Sequence, residues 1–264
     1  MDKVVIAGVF DFVNFHVCKA LLDKGIEVKG IQIETEENDI LVEKRLEVGR
    51  NANFTEASIG EIIKDSDGSE TVILSIYDLY MCYKEDFLLN EDFIKKGNWE
   101  QLVIFAPSQL LTDEIAPESN LIINNFLRSA AGKDIHLLYL PTIYGPWQPD
   151  TFLFQHKILS EMDRRNPFIG LREETCDALF VEEAVESIIK IIEDKRSGRY
   201  LLQSGKKNQW DICASFLGIN QQDSTERNVK IIEKGDLTKI TVQSSVPIPI
   251  ALTKQIDHAH RLYR

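Results

Sequence analysis

The stretch Gly8-Val9-Phe10-Asp11-Phe12-Val13-Asn14 stands where a short apolar run, Val4-Val5-Ile6-Ala7, gives way to a segment of helical period. A helix that begins at a glycine turn presents unsatisfied N–H groups and a partial positive charge, which suits a pyrophosphate. That chemistry needs small residues where the phosphates approach the backbone. Gly8 meets the need, whereas Asp11 and Asn14 occupy the two later positions where glycine is expected. Two like charges 4 Å apart cost roughly 4 kcal/mol at an effective dielectric of about 20, about a thousandfold in affinity. A carboxylate at Asp11 therefore opposes a phosphate. The alternative is that Asp11 caps the helix in place of a ligand. The residues expected to meet a dinucleotide, NAD or NADP, are Gly8, Phe10, Asp11, Phe12 and Val13. Gln32 lies at the end of the second strand, where an acidic residue grips a ribose, and Glu34 two residues on points to the same side.

Other reactive side chains are scattered. Ser108 follows an apolar run, where a lone serine reads as a turn or cap residue. Tyr80 and Lys84 have a Tyr-x-x-x-Lys spacing, which we read as coincidental. His16, His136, His156, His258 and His260 show no metal-ligand spacing, and His258 and His260 fall on different helical faces. No metal is expected. Cys18, Cys82, Cys176 and Cys213 form no CxxC pair, so reduced thiols, mostly buried, are expected.

The elements that must position these residues alternate in type. Apolar runs at 4–7, 28–33, 72–74, 102–105 and 135–140 read as strands. Helical faces fall between them: Val13, Val17, Cys18, Leu21 and Leu22, ending at Gly25; a charged helix at 41–48; and Ile123, Leu127, Ala130 and Ala131. Such alternation predicts an α/β fold, a Rossmann-like doubly wound parallel sheet with helices on both faces. Pro141, Pro146, Pro149 and Pro167 then punctuate shorter elements. Val181, Ala184, Val185, Ile188, Ile189 and Ile192 give the cleanest amphipathic helix, with Glu182, Glu183, Glu186 and Lys190 expected on its polar face. A strand at 199–203 and a helix from about 209 follow. We expect a nucleotide-binding domain over 1–146 and a smaller C-terminal lobe over 147–264, interleaved with the sheet.

A net charge of −12, from 30 basic and 42 acidic residues, argues against nucleic acid as a partner. The basic pairs Lys44-Arg45, Arg164-Arg165 and Lys206-Lys207 stand alone and read as solvated helix ends or loops. No apolar run reaches the roughly 20 residues of a membrane span, and Met1-Asp2-Lys3 leads at once into a strand. A cytoplasmic protein with no membrane partner is expected.

Several segments in this order resemble the extended short-chain dehydrogenase/reductase family, the NAD-dependent epimerases and dehydratases of sugar nucleotides. Beyond the first glycine turn, Pro141-Thr142-Ile143-Tyr144-Gly145-Pro146 resembles the family's Asn-Val-Tyr-Gly-Pro segment. The run from Asp177 to Ala184 resembles its Asp-Phe-Val-x-Val-Asp-Asp-Val segment, Gly198 to Gly205 its late strand and loop, and Ile248 to Arg264 its terminal helix. The resemblance implies a catalytic Tyr, with Lys four residues later, near residues 112 to 118. The sequence there is Thr112-Asp113-Glu114-Ile115-Ala116-Pro117-Glu118, and no Tyr or Lys occurs between Lys96 and Arg128. A phenol without a lysine is a poor base at neutral pH, and here both are missing. Ser108 matches the family's catalytic Ser or Thr. Tyr139 and Cys176 stand where the family has arginines, and Thr142 where it has asparagine. The resemblance also implies a homodimer through the segments near Lys84 to Lys96 and Leu121 to Ala131.

The expectation is a catalytically impaired relative that holds a nucleotide, a sugar nucleotide or a protein partner in its cleft. The alternative is an active NAD(P)-dependent epimerase, dehydratase or reductase with different acid–base residues.

Overall fold

The computed structural model describes residues 2–33, 37–65, 68, 70–89, 99–112, 114–130, 134–163, 170–194, 196–219 and 236–263. Glu34, Arg164-Arg165 and most of the 84–96 segment lie outside these residues.

The strands are β1 (Lys3–Ala7), β2 (Glu27–Ile31), β3 (Phe54–Glu56), β4 (Thr71–Ser75), β5 (Gln101–Pro107), β6 (Ile135–Leu140), β7 (Thr142–Tyr144), β8 (Ala178–Phe180), β9 (Gly198–Gln203) and β10 (Leu237–Thr241). Eight of them form one sheet in the order β10-β9-β6-β5-β4-β1-β2-β3, every neighbouring pair parallel. Every residue of β4 and β5 is buried, because helices cover both faces and leave no solvated side to alternate toward. The remaining strands, β7 and β8, pair parallel in a small second sheet. The helices are α1 (Phe12–Asp23), α2 (Asp39–Val48), α3 (Ile59–Asp65), α4 (Ile76–Met81), α5 (Pro117–Ser129), α6 (Leu153–Glu161), α7 (Val181–Glu193), α8 (Gln209–Phe216) and α9 (Ile248–Leu262).

The chain winds outward from β1 in two directions. β2 and β3 lie on one side and β4, β5 and β6 on the other. The strand order therefore reverses between β1 and β4, which opens a crevice at their carboxyl ends. Two loops meet there: the β1–α1 turn and the β4–α4 junction. Gly8 makes the first turn possible at φ +75°, and its N–H and that of Val9 donate to Ile31 O. Gly30 is needed as well, since a Cβ there would stand 2.7 Å from Val9 Cγ1.

The doubly wound parallel sheet is as expected. β9 and β10, from beyond residue 146, extend the main sheet, and one hydrophobic core runs through both halves. α7 buries Val181, Ala184, Val185, Ile188, Ile189 and Ile192 as its period requires. Glu183 is a correction. It is buried rather than solvent-facing, and its Oε1 accepts from the N–H groups of Ser245 and Val246, fixing the approach to α9. Lys44 also departs from expectation. It is 5% exposed, with its ammonium 5.3 and 5.5 Å from the ring centres of Phe15 and Trp147. The four cysteines are free; Cys18 and Cys213 are buried, and Cys176 is exposed. Among the described residues no helix is long and apolar enough to cross a membrane.

Candidate functional site

The amino terminus of α1 is an anion seat, and a side chain of the protein occupies it. Asp78, on α4, is 1% exposed. Its Oδ2 accepts from Val13 N–H at 3.0 Å and Asn14 N–H at 3.4 Å, and Oδ1 lies 3.2 Å from Val13 N. Ser75 caps α4 from the end of β4, and its hydroxyl oxygen accepts the Asp78 N–H. The geometry of the β1–β4 crevice thus delivers a carboxylate to the orphan donors of α1. Burial pushes the Asp78 carboxyl up to about 6, against Ser75, the two α1 N–H groups and the Lys44 charge, which all favour the anion.

Asp11 sits at the N-cap position of α1, but its side chain makes no capping hydrogen bond. The capping role proposed for it belongs to Asp78. The Asp11 carboxylate instead covers Gly8: a Cβ on that glycine would lie 2.1 Å from Asp11 Oδ2. Asn14 is fully buried and donates to Ala7 O at 2.8 Å and Gly8 O at 3.2 Å, stitching α1 to the end of β1. Phe10, Phe12 and Val13 are also buried. Gln32 is engaged too. Its Oε1 accepts from Arg45 Nη2 at 2.7 Å, and Arg45 pairs in addition with Glu37 and Glu56. Lys44 donates to Phe10 O at 2.6 Å. A cavity of about 390 Å³ remains over the turn, walled by Phe10, Phe12, Lys44, Trp147 and His258.

At the other end of the sheet edge, Ser108 opens a 3₁₀ turn (Ser108–Leu111) directly after β5. Its hydroxyl donates to Glu174 Oε2 at 2.7 Å. Burial pushes Glu174 up to about 7, opposed by the Ser108 bond and reinforced by Asp177. Asp177 accepts from the N–H groups of Ala178 and Ser204. These groups line a cavity of about 190 Å³ with Gln109, Thr112, Cys176, Gln203 and the apolar side chains of Leu111, Pro141, Leu201 and Leu202. The first turn of α5 carries neither Tyr nor Lys. Its Ser119 donates to Glu85 at 2.6 Å, and Glu85 holds Arg172, whose guanidinium lies 3.6 Å from the Tyr83 ring centre. Tyr80 is buried, with the same guanidinium 4.8 Å from its ring centre. Tyr139, in place of an arginine, accepts from Arg199 at 2.8 Å.

No protein-family model matches the sequence, and no curated protein matches it. Solved structures do. UDP-glucuronic acid 4-epimerase from Bacillus cereus, in complex with UDP-glucuronic acid and NAD, matches with a TM-score of 0.70 at 15% identity, covering 99% of this chain and 100% of that one. The fold is that of the NAD-dependent sugar-nucleotide epimerases. UDP-glucose 4-epimerase from Thermotoga maritima, with UDP-glucose, has a TM-score of 0.62 at 14% identity, covering 99% and 100% of the two chains. WbmH from Bordetella bronchiseptica, in complex with NAD⁺, has a TM-score of 0.60 at 16% identity, covering 98% and 99%. Within this epimerase fold the residues present do not fit a pyrophosphate at the β1–α1 turn. Asp78 holds the N–H groups that would receive it, and Asp11 covers the glycine it would approach.

The residues singled out from sequence therefore separate into two places. Gly8, Phe10, Asp11, Phe12, Val13 and Gln32 gather at one end of the crevice, and Ser108 belongs to the other. Asp78, Lys44, Gln109 and Glu174 were not anticipated. Ser75-Ile76-Tyr77-Asp78 has the Ser-x-x-Asp form of a helix start, a signal that could have placed Asp78 in the first turn of a helix after β4. No spacing rule marks Glu174, which arrives from a loop 66 residues away from Ser108. Among the described residues no three His, Cys, Asp or Glu side chains are arranged to hold a metal.

Proposed function

We propose that this epimerase-fold protein does not carry out nicotinamide chemistry and instead holds a small molecule at the Ser108 end of its cleft. The observation that carries the reading is the Asp78 carboxylate on the Val13 and Asn14 N–H groups. An internal anion there competes with a dinucleotide for the same donors and repels its phosphates. The absence of Tyr and Lys from residues 97–127 supports the same reading, since that stretch offers no phenol to exchange a proton with a sugar hydroxyl. Among the described residues the Ser108 cavity has no Lys, Arg or His in its lining, which argues against a nucleoside diphosphate in it.

Calorimetric titration of the purified protein with NAD, NADP, UDP-glucose and UDP-glucuronic acid tests this. No binding tighter than millimolar is expected for any of them, and no nicotinamide is expected in the supernatant after denaturation. Micromolar NAD binding with turnover of a UDP-sugar would overturn the reading. Binding of a UDP-sugar alone would keep the loss of redox chemistry and replace the ligand class.

The second reading, an active enzyme with other acid–base groups, has one observation in its favour. Ser108 and Glu174 are hydrogen-bonded at 2.7 Å, and Glu174 titrates near neutrality, as a general acid–base group should. It requires turnover that disappears in Ser108→Ala.

A further inference from the structure

We propose that the cavity over the β1–α1 turn binds an uncharged aromatic carbonyl compound, with Gln155 on α6 as the donor to its oxygen. This goes beyond the Ser108 reading. It takes nothing from the glycine turn, whose Val13 and Asn14 N–H groups Asp78 holds.

A chain of buried amides sets the site, each oriented by the one before it. Gln148 donates through Nε2 to Ile143 O at 2.7 Å, which leaves its Oε1 as an acceptor. Gln255, on α9, donates through Nε2 to that oxygen at 2.7 Å and to Gln155 Oε1 at 2.9 Å. Because the backbone carbonyl at the start can only accept, this run of bonds admits one orientation at each amide. It turns Gln155 Nε2 away from Gln255. Gln155 is 4% exposed and borders the cavity of about 390 Å³. Among the described residues its Nε2 makes no hydrogen bond, and, unlike the enclosed Oε1 of Gln255, it keeps accessible surface. Two N–H donors of an otherwise buried side chain therefore open into the cavity.

The rest of the lining defines what can meet them. Lys44 and Lys84 border the cavity, and so do Asp11 and Asp150, so an ion of either sign meets two like charges. The apolar walls are Phe10, Phe12, Leu41, Trp147 and Leu262. Their rings are held by packing: Phe12 stands edge-on to Phe152 at 5.7 Å between centres, and Trp147 edge-on to Phe15 at 5.6 Å. Such rings do not collapse into the space between them. A planar aromatic body covers them by stacking, and its carbonyl oxygen accepts from Gln155 without adding a charge. A ligand hydroxyl or amine would bring donors to a face that is itself a donor. The volume suits a small molecule rather than a single water or ion.

Proton–nitrogen NMR of the full chain, during addition of 1-indanone or coumarin, reads this contact directly, with indane as the control. The Gln155 side-chain amide signals, identified by their loss in Gln155→Met, are expected to shift as the ketone or lactone saturates, with a Kd of about 1 mM or tighter. Indane, which has the hydrocarbon body without the oxygen, should bind roughly tenfold more weakly, the upper end of what one hydrogen bond contributes. Gln155→Met should weaken 1-indanone by roughly the same factor and leave indane unchanged, a split that a merely structural role would not produce. That variant also removes an acceptor from Gln255, so Leu262→Trp serves as a second. It fills the cavity from the end of α9, leaves the three amides in place and should weaken 1-indanone and indane alike. The proposal is overturned by any of three results: neither carbonyl compound binds the wild-type protein, indane binds as tightly as 1-indanone, or the Gln155 amide signals stay still while 1-indanone binds. Displacement of 1-indanone by NAD would overturn both this proposal and the reading above, by making the cavity a dinucleotide site.

Discussion

Two ends of one sheet edge differ in where their polar groups find partners. Over β1 the donors of α1 are met by Asp78, Gln32 is met by Arg45, and Lys44 is met by Phe10 O. Beyond β5, Ser108 is met by Glu174 and the Gln109 amide nitrogen by Arg172 O, beside a cavity of about 190 Å³. The first place turns a carboxylate onto a helix amino terminus, and the second leaves two carboxylates, Glu174 and Asp177, beside a cavity. A site that satisfies itself gains little from a ligand, because each new bond replaces an existing one. The chemistry of this molecule is therefore sought at Ser108 and not at the glycine turn, although the glycine turn is the better-known feature of the fold.

The sharpest way to break this contrast is to reopen the closed end. The double substitution Asp11→Gly with Asp78→Ala removes both carboxylates from the turn and releases the Val13 and Asn14 N–H groups. If like-charge repulsion of roughly 4 kcal/mol keeps phosphate out, NAD affinity should rise by about a thousandfold, read by titration. An unchanged affinity would show that the seat is closed for some other reason. Next in size is the structural cost of the same plug. Asp78→Ala alone leaves two helix N–H groups without an acceptor and should cost about 2 kcal/mol in urea denaturation, with less lost in Asp78→Asn, whose Oδ1 still accepts.

Glu173 sharpens the comparison through pH. It is 5% exposed, its Oε2 accepts from Leu153 N–H, and burial pushes it up to about 8. The folded value lies above the unfolded one, so its contribution to stability is complete at acid pH and is lost as pH rises through about 8. Glu173→Gln should therefore gain on the wild type as pH goes from 6 to 9, by several degrees in thermal unfolding. A difference independent of pH would show that Glu173 is ionised throughout. The smallest effect is expected at Arg45. Arg45→Ala breaks pairs with Glu37 and Glu56 that lie near the surface, and such pairs contribute little. Its thermal midpoint should stay within about 2 °C of the wild type.

Much of this molecule is written in local pattern. The runs 4–7, 72–74 and 102–105 are apolar because their strands are covered on both faces, and the 3.6-residue period of 181–192 shows which side of α7 is buried. The absence of Tyr and Lys from residues 97–127 is equally plain, since it is a matter of residue type over a stretch of chain. Glu183 and Lys44 escaped the pattern because each finds a partner remote in sequence, Ser245 and Val246 for the one and Phe10 for the other. A charged residue is read as solvated unless its partner is visible, and neither partner was.

The amino-acid order by itself determined that a parallel sheet forms, that a glycine turn opens α1 and that residues 97–127 hold neither Tyr nor Lys. Only the folded chain decided which carboxylate reaches the helix dipole, because Asp78 and Asp11 are both near the crevice and the winding of β4 beside β1 selects Asp78. It likewise brought Glu174 to Ser108 across a long loop. Strand and helix identity follow from neighbours along the chain, whereas the pairing of polar groups is settled by neighbours in space.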